Sequence, residues 1–411
     1  MKGYKGFHKG MICRGKQYTE NTVFEESEAN ICKNGMHFCK NPLDVLDYYD
    51  FMDYNGEFHE FAEVEALDEV KTDDYQKYCT KKLKIGAKLS LDGFIQTCAK
   101  TAEDLNSSVD NAKLSSSADS IQIGVTGCEP EVVTGVYSKI AATGEGSKVV
   151  ATGKFSKIAA GGNLSKVVST GKYSTTASTG KESKVVATDN VSKVASTGEG
   201  SKVVATGERS EVVATGDYSN VAIMGDNSKI VSTGEGSKVV ATGKFSKIAS
   251  TGLNSKVAST GLNSAVASTG DYSAVASTEL NSKVASTGHN SKVASTGDYS
   301  AVASTGDYSA VASTGLNSKV ASTGDYSAVA STGHNSKVAS TGECCIICCA
   351  GIGSHAKAKK GSWITLAEWE WDKEKGRYVP VCVKTEKVDG ERIKEDVFYT
   401  LKDGEFQEVK A

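Results

Sequence analysis

A nine-residue period in glycine governs what this chain can fold into. Glycine stands at positions 135, 144, 153, 162, 171 and 180 and keeps to the same grid up to 351, interrupted only at Asp189 and Glu279. The unit reads x-x-Ser-x-Val-Ala-Ser-Thr-Gly, as in DYSAVASTG at 307–315, and 23 such units lie between Val136 and Gly342. Self-similarity at a fixed period without slippage is typical of solenoid proteins. The 411-residue chain has 42 glycines but 3 prolines, which favours a repeat over a disordered linker.

Strand alternation predicts which positions of each unit face the interior. The two Ser and the Val point inward, while the Lys or Ala, the Ala or Val, and the Thr point outward. A short strand needs a returning strand to close its core, so we expect two units per coil and between eleven and twelve coils. We expect the repeat glycine to supply a positive-φ corner and the first Ser to bond the turn backbone. An eighteen-residue alternation at one outward position supports this pairing: Ala141, Val150, Ala159, Val168, Ala177, Val186, Ala195 and Val204.

The predicted fold class is mainly β, a parallel β-solenoid of nonapeptide repeats flanked by two small domains. Mixed helix and strand patterns over residues 1–105 predict an α+β N-terminal domain. Residues 106–133 are rich in Ser, Asp and Asn and are interpreted as irregular first coils or a linker. The solenoid follows over 134–361. Alternating runs separated by Gly-containing turns predict an antiparallel β-meander as a C-terminal domain over 362–411.

Charge is distributed unevenly along the chain. Residues 136–342 carry 20 basic and 14 acidic groups, whereas residues 1–105 carry 14 basic and 19 acidic groups. A basic rod joined to an acidic head favours attraction within one chain or between chains.

No run approaches the ~20 apolar residues of a membrane helix, and no signal peptide is recognised, so a cytoplasmic location without membrane association is expected. Eleven cysteines fit reduced thiols in such a compartment.

The outward columns are the candidate partner surfaces. An apolar stripe is predicted at Val150, Val168, Val186 and Val204, and a solvated rod does not need one. We expect it to contact the acidic N-terminal domain or a second copy. Lysine columns offer a possible polyanion contact, with nucleic acid as the alternative partner, although lysine also keeps such ladders soluble. These columns contain Lys139, Lys148, Lys157, Lys166, Lys184, Lys193 and Lys202.

Metal, calcium and ice binding are all disfavoured by the sequence. Calcium-binding nonapeptides use Asp where this repeat has Ser, and a single outward Thr per unit does not make a flat ice-binding array. Cys13, Cys32, His37 and Cys39 are a weak zinc candidate because their spacing fits no common motif. In ECCIICCAG the register predicts that Cys345 and Cys349 replace the two buried Ser. No cofactor is expected.

Catalytic motifs are not recognised in this sequence. It contains no nucleophile elbow, phosphate loop or metalloprotease helix. The alternative to a binding protein is a nucleotide-directed enzyme of ADP-ribosyltransferase type in residues 1–105, acting through Arg14 or Glu65, with the rod as a spacer.

The chain resembles a family of proteins from Firmicutes and their phages. The resemblance lies in the segments MICRGKQY, NGMHFCKNPLDVLDYY and FAEVEALDEV and in the tail WITLAEWEW. Members of the family share an N-terminal domain of unknown function, a Ser/Ala/Thr/Gly nonapeptide array and a small β tail. The resemblance implies a bacterial or phage-infected cell, in which a rod with two globular ends binds and blocks or scaffolds a host component. The leading hypothesis is therefore a non-enzymatic binding or scaffold protein.

Overall fold

The computed structural model describes residues 1–31, 33–51, 57–73, 76–106, 113–116, 122–126 and 131–409. The predicted fold class is confirmed: the chain is mainly β, with a parallel β-solenoid of about 13 turns over residues 122–366, a small β-rich N-terminal domain and antiparallel C-terminal strands. Among the described residues, no helix is long and apolar enough to cross a membrane. Two compact units, Met1–Ser219 and Asn220–Ala411, are described in turn.

The N-terminal domain is built on a seven-stranded sheet in the order β4-β9-β6-β1-β5-β8-β7, and its described pairings are antiparallel. A short hairpin, β2-β3, lies outside this sheet. The elements are β1 Lys2–Phe7, β2 Ile12–Cys13, β3 Lys16–Gln17, β4 Val23–Glu25, β5 Met36–Cys39, α1 Pro42–Val45, β6 Glu60–Ala66, β7 Val70–Thr72, β8 Lys77–Thr80, β9 Lys82–Leu89 and α2 Leu91–Asn106.

Two apolar clusters hold this domain together. One gathers Phe7, Phe38 and Ile85 with neighbouring strand residues. The other packs both helices, and in it the rings of Phe61 and Phe94 stack with centroids 3.9 Å apart. Asn41 starts α1 by accepting a hydrogen bond from the Leu43 N–H at 3.0 Å, and Pro42 follows at the first helical position, where its missing N–H costs nothing.

In the first unit the solenoid consists of two parallel sheets, which we call sheet I and sheet II. Strands eighteen residues apart pair in exact register, as in Val149↔Val167 and Ile140↔Ile158, so the prediction of two repeats per coil is confirmed. The stacks already begin within 106–133. Sheet I contains β10 Lys113–Ser116, β12 Glu131–Thr134, β14 Lys148–Ala151, β16 Lys166–Ser169, β18 Lys184–Ala187 and β20 Lys202–Ala205. Sheet II contains β11 Gln122–Val125, β13 Lys139–Ala142, β15 Lys157–Ala160, β17 Thr175–Ser178, β19 Lys193–Ser196 and β21 Glu211–Ala214.

The repeat glycine has a different role from the predicted one. Positive φ occurs at the second residue of each turn instead, for example Tyr137 at 56° and Gly146 at 70°. The repeat glycine is needed because successive coils touch there: a Cβ placed on Gly162 would lie 1.9 Å from the Gly144 carbonyl oxygen. Close backbone approach, not a left-handed corner, thus explains the nine-residue grid.

The second unit has the same pattern, and we call its two sets of strands sheet III and sheet IV. Sheet III contains β22 Asn220–Ile223, β24 Lys238–Ala241, β26 Lys256–Ser259, β28 Ala274–Ser277, β30 Lys292–Ser295, β32 Ala310–Ser313, β34 Ala328–Ser331, β36 Ile346–Cys349, β38 Trp363–Asp372 and β39 Arg377–Lys387. Sheet IV contains β23 Lys229–Ser232, β25 Lys247–Ser250, β27 Ala265–Ser268, β29 Lys283–Ser286, β31 Ala301–Ser304, β33 Lys319–Ser322, β35 Lys337–Ser340, β37 His355–Lys357, β40 Tyr399–Lys402 and β41 Glu405–Glu408.

The described C-terminal strands differ from a single meander. Strand β38 continues the parallel ladder beside β36, with Ile347 paired to Ile364, and then pairs antiparallel with β39. The β40-β41 hairpin extends the other sheet through β37. The reason is that Ile364 and Leu366 take the inward positions of one more coil and are 0% and 1% exposed. Each solenoid sheet of this unit thus ends in an antiparallel hairpin, which covers its last parallel strand.

Candidate functional site

The outward face of sheet II carries the N-terminal domain. Ala141, Ala159, Ala177 and Ala195 form a column on this face and are at most 1% exposed. They belong to one buried cluster with apolar side chains of α1, α2 and the segment after α1, among them Leu43, Leu46, Phe94, Ile95 and Cys98. Alanine fits here because its small side chain lets a helix approach the sheet closely. The Ala column is therefore a docking face for a folded domain.

Ion pairs border this docking face. Lys139 Nζ lies 3.2 Å from Asp44 Oδ1 and 2.7 Å from Asp47 Oδ2, and the Lys139 and Asp44 side chains are 11% and 9% exposed. Farther along the column, Lys157 and Lys193 reach Asp50 at 3.2 and 3.6 Å. The acidic groups of the domain thus face the lysines of the rod, and at Lys139 the pair is largely desolvated, where a lost partner is costly.

The Val stripe lies on the other sheet of this unit. Val150, Val168, Val186 and Val204 stack in register on sheet I and are half-buried. The described part of the N-terminal domain packs on the Ala column and not on the Val stripe, so of the two expected occupants of the stripe a second copy stays a prediction. The physical reason is size, because Ala admits helices that the bulkier Val would hold away.

The seven candidate lysines divide between the two faces. Lys139, Lys157 and Lys193 are engaged with the N-terminal domain. The other four flank the Val stripe and are exposed: Lys148, Lys166, Lys184 and Lys202. Sheet I of this unit thus presents an apolar column beside a continuous cationic column, the same combination that holds the N-terminal domain on sheet II.

The sequence indicated that the acidic domain attracts the basic rod, but not which acidic residues make the contact. Asp44, Asp47 and Asp50 recur every third residue in NPLDVLDYYD. Two features of the sequence together indicate this contact. One is the acidic run, and the other is the alternation of Ala with Val at one repeat position. A helix with acids at its edge matches a column of Ala between lysines.

The weak zinc candidate falls on residues with other contacts. Cys13 Sγ accepts hydrogen bonds from Tyr49 Oη at 3.0 Å and Lys5 Nζ at 3.4 Å. Burial, with Asp44 and Asp47 nearby, raises the pKa of the Cys39 thiol to about 12, which opposes the thiolate that a metal requires. His37 lies on β5, and Cys32 lies outside the described residues. Within the described part of the chain, no three His, Cys, Asp or Glu side chains are grouped to hold a metal ion.

The two residues of the enzyme alternative lie in different parts of the described N-terminal domain. Arg14 lines a cleft in the N-terminal domain, whereas Glu65 is not among the residues that line it. Glu65 lies on β6, opposite Lys2 of β1 and Lys84 of β9.

The cysteine-rich repeat of the second unit follows the predicted register. Cys345 and Cys349 are 0% and 1% exposed, and the Cys344 side chain is exposed. Cys345 Sγ lies 3.3 Å from the Gly324 carbonyl oxygen, as the serines at this position do with their glycines. The outward side of sheet III ends in Ile346 and Trp363, which are 61% and 46% exposed.

Comparison with known proteins gives a family match for one part of the chain. The searches of curated proteins and of solved structures give no match. Residues 1–97, which include the whole seven-stranded sheet, match a family described as a domain of unknown function, DUF7666.

Proposed function

We propose that this chain is a non-enzymatic binding scaffold whose sheet I, in the first unit, binds a second protein. The occupant has apolar side chains that meet the Val stripe and carboxylates that meet Lys148, Lys166, Lys184 and Lys202. The resemblance to bacterial and phage proteins favours a host component as this partner. A rod then serves to present the same contact repeatedly, since each coil repeats it at a spacing of ~4.8 Å.

One observation carries the proposal: sheet II of the same unit already binds a folded, acidic domain with this chemistry. Its small apolar column is covered by helices, and its lysines pair with Asp44, Asp47 and Asp50. Sheet I has an apolar column and a lysine column in the same register. An acidic partner gains attraction there, and the association should weaken as salt rises.

The test compares two variants of equal charge. Lys166→Glu/Lys184→Glu reverses charge beside the Val stripe, whereas Lys154→Glu/Lys172→Glu makes the same change at exposed turn residues. The immobilised full chain is used for capture from nuclease-treated bacterial lysate at low and high salt, and cross-linking locates the contact on both proteins.

The expected result is a protein held by the wild type and by the turn variant, lost with the sheet I variant, and cross-linked through an acidic surface. Capture that both variants retain equally would contradict the proposal. So would self-association alone, measured by sedimentation, because the partner would then be a second copy.

A further inference from the structure

The N-terminal domain contains a cleft with a cavity volume of about 600 Å³, inside the size range of small-molecule sites. Two carboxylates line it, and both are engaged: Glu26 pairs with Lys16, and Asp47 pairs with Lys139 at 2.7 Å. Five cationic side chains line the same cleft: Lys5, Arg14, Lys16, Lys33 and Lys77. Burial lowers the pKa of Lys5, but Arg14, Lys33 and Lys77 still give the cleft an excess of positive charge.

Arg14 occupies an unfavourable backbone conformation at the rim of this cleft. It forms the two-residue turn between β2 and β3 with Gly15, and their φ angles are 50° and 76°. Such a turn favours Asn or Gly at its first position, because a longer side chain is strained at positive φ. Within the described residues, no carboxylate forms an ion pair with Arg14 or Lys33. Positive φ is common at turns of this chain, as at Arg209, so the lack of a carboxylate partner within the described residues is what points to a ligand role for Arg14.

The charge of the cleft contributes to a lowered pKa of a histidine in its wall. Burial first, then Lys5, Arg14 and Lys77, lowers the pKa of His37 to about 4. Lys5 is itself buried, and its Nζ donates to the His37 carbonyl oxygen at 2.8 Å. Aromatic rings complete the lining at Tyr18 and Tyr48, with Lys77 Nζ 4.9 Å from the centre of the Tyr48 ring.

We propose that this cleft binds a small phosphorylated molecule of nucleotide size, and that Arg14 contacts its phosphate. A phosphate dianion matches several convergent cations better than a single carboxylate does, and the planar guanidinium of arginine suits its oxygens. The cavity exceeds the size of inorganic phosphate, and the tyrosines can contact a ring. The inference does not depend on what sheet I binds.

The experiment measures binding to the full chain by calorimetry in a phosphate-free buffer. The probes are adenosine monophosphate, adenosine and inorganic phosphate. We expect the monophosphate to bind at least tenfold more tightly than adenosine, and Arg14→Asn to weaken it at least tenfold. Inorganic phosphate that binds as tightly as the monophosphate would overturn the nucleotide-size part of the proposal, because the ring would then add nothing to the affinity.

Two controls separate binding from folding. Arg14→Asn should melt at the same or a higher temperature than the unliganded wild type, because Asn suits the turn. Lys81→Asn, an exposed cation outside the cleft lining, should bind the monophosphate as the wild type does. In the unmodified chain, the negative charge of a bound phosphate should raise the pKa of His37, which is followed by NMR. Absence of binding by both phosphate probes at millimolar concentration, an unchanged affinity of Arg14→Asn, or an unmoved His37 titration would overturn the proposal.

Discussion

At the residue scale, the two serines that most repeat units bury lie in different environments. The first Ser, such as Ser246, donates its hydroxyl to the carbonyl oxygen of the preceding glycine, here Gly243 at 2.8 Å. The second, such as Ser250, is 1% exposed and has no protein partner for its Oγ. Several units of the first coils have a fully buried Ala at that second position, for example Ala142 and Ala151. The interior therefore tolerates removal of the second hydroxyl.

This difference predicts opposite effects of one substitution at two places in one unit. Ser250→Ala should raise the free energy of unfolding by about 1 kcal/mol, because it removes a buried hydroxyl without a protein partner. Ser246→Ala should lower it by about 1 kcal/mol, since it deletes a hydrogen bond of the turn. Thermal and urea unfolding followed by circular dichroism measures both. Equal destabilisation by the two variants would contradict this account of the interior.

The exposed turns give a second prediction at this scale. Arg209 adopts φ 56°, at the turn position where other units have Gly146, Gly200 or Asn254. Arg209→Gly should therefore stabilise the chain by about 1 kcal/mol. Glu208→Gly, at the adjacent position without positive φ, should instead destabilise it by roughly 0.5–1 kcal/mol through lost chain entropy. Melting temperatures compare the two, and a gain for Glu208→Gly but not for Arg209→Gly would refute the argument.

At the scale of elements, the strands and their pairing could be predicted from the sequence, but the docking face could not. A period of nine residues with inward Val fixes strand position, register and coil size, because any slip would move side chains to the wrong face. The N-terminal domain depends on a match between two distant segments, α1 with its acidic edge and the Ala column. Periodicity within one segment contains no information about such a match, so it cannot show which column of the solenoid the domain covers.

The buried ion pair at this face gives the element-scale prediction. Lys139→Ala leaves the Asp44 carboxylate buried beside the docking face, so we expect a loss of about 3 kcal/mol in stability of the first unit. Lys148→Ala removes the equivalent but exposed lysine of β14 and should change stability by no more than about 0.5 kcal/mol. Amide hydrogen exchange in α2 reports directly on docking. Identical exchange in the two variants would show that the ion pair contributes nothing to it.

At the scale of the whole molecule, charge separation explains why one chain contains both a basic rod and an acidic domain. Opposite charges meet at the docking face, and the sequence correctly indicated their attraction. The cleft of the N-terminal domain was not predicted, because its lining comes from separate segments, including the β2-β3 turn and the strands β1, β5 and β8. The sequence placed Arg14 in a candidate enzyme site and His37 in a candidate zinc site, and only the fold brings the two residues to one cavity.

His37 makes stability depend on pH. Its pKa is lowered to about 4 in the folded chain, against 6.5 for an ordinary histidine. Between these values the unfolded chain binds a proton that the folded chain does not, so stability falls as pH drops from 6.5 toward 4. His37→Asn should flatten this part of the profile, whereas His334→Asn, at an exposed turn of the second unit, should leave it unchanged. Hydrogen exchange in β5 and β8 as a function of pH measures the effect for the N-terminal domain. A profile that stays equally steep without His37 would show that this histidine is not the source of the acid sensitivity.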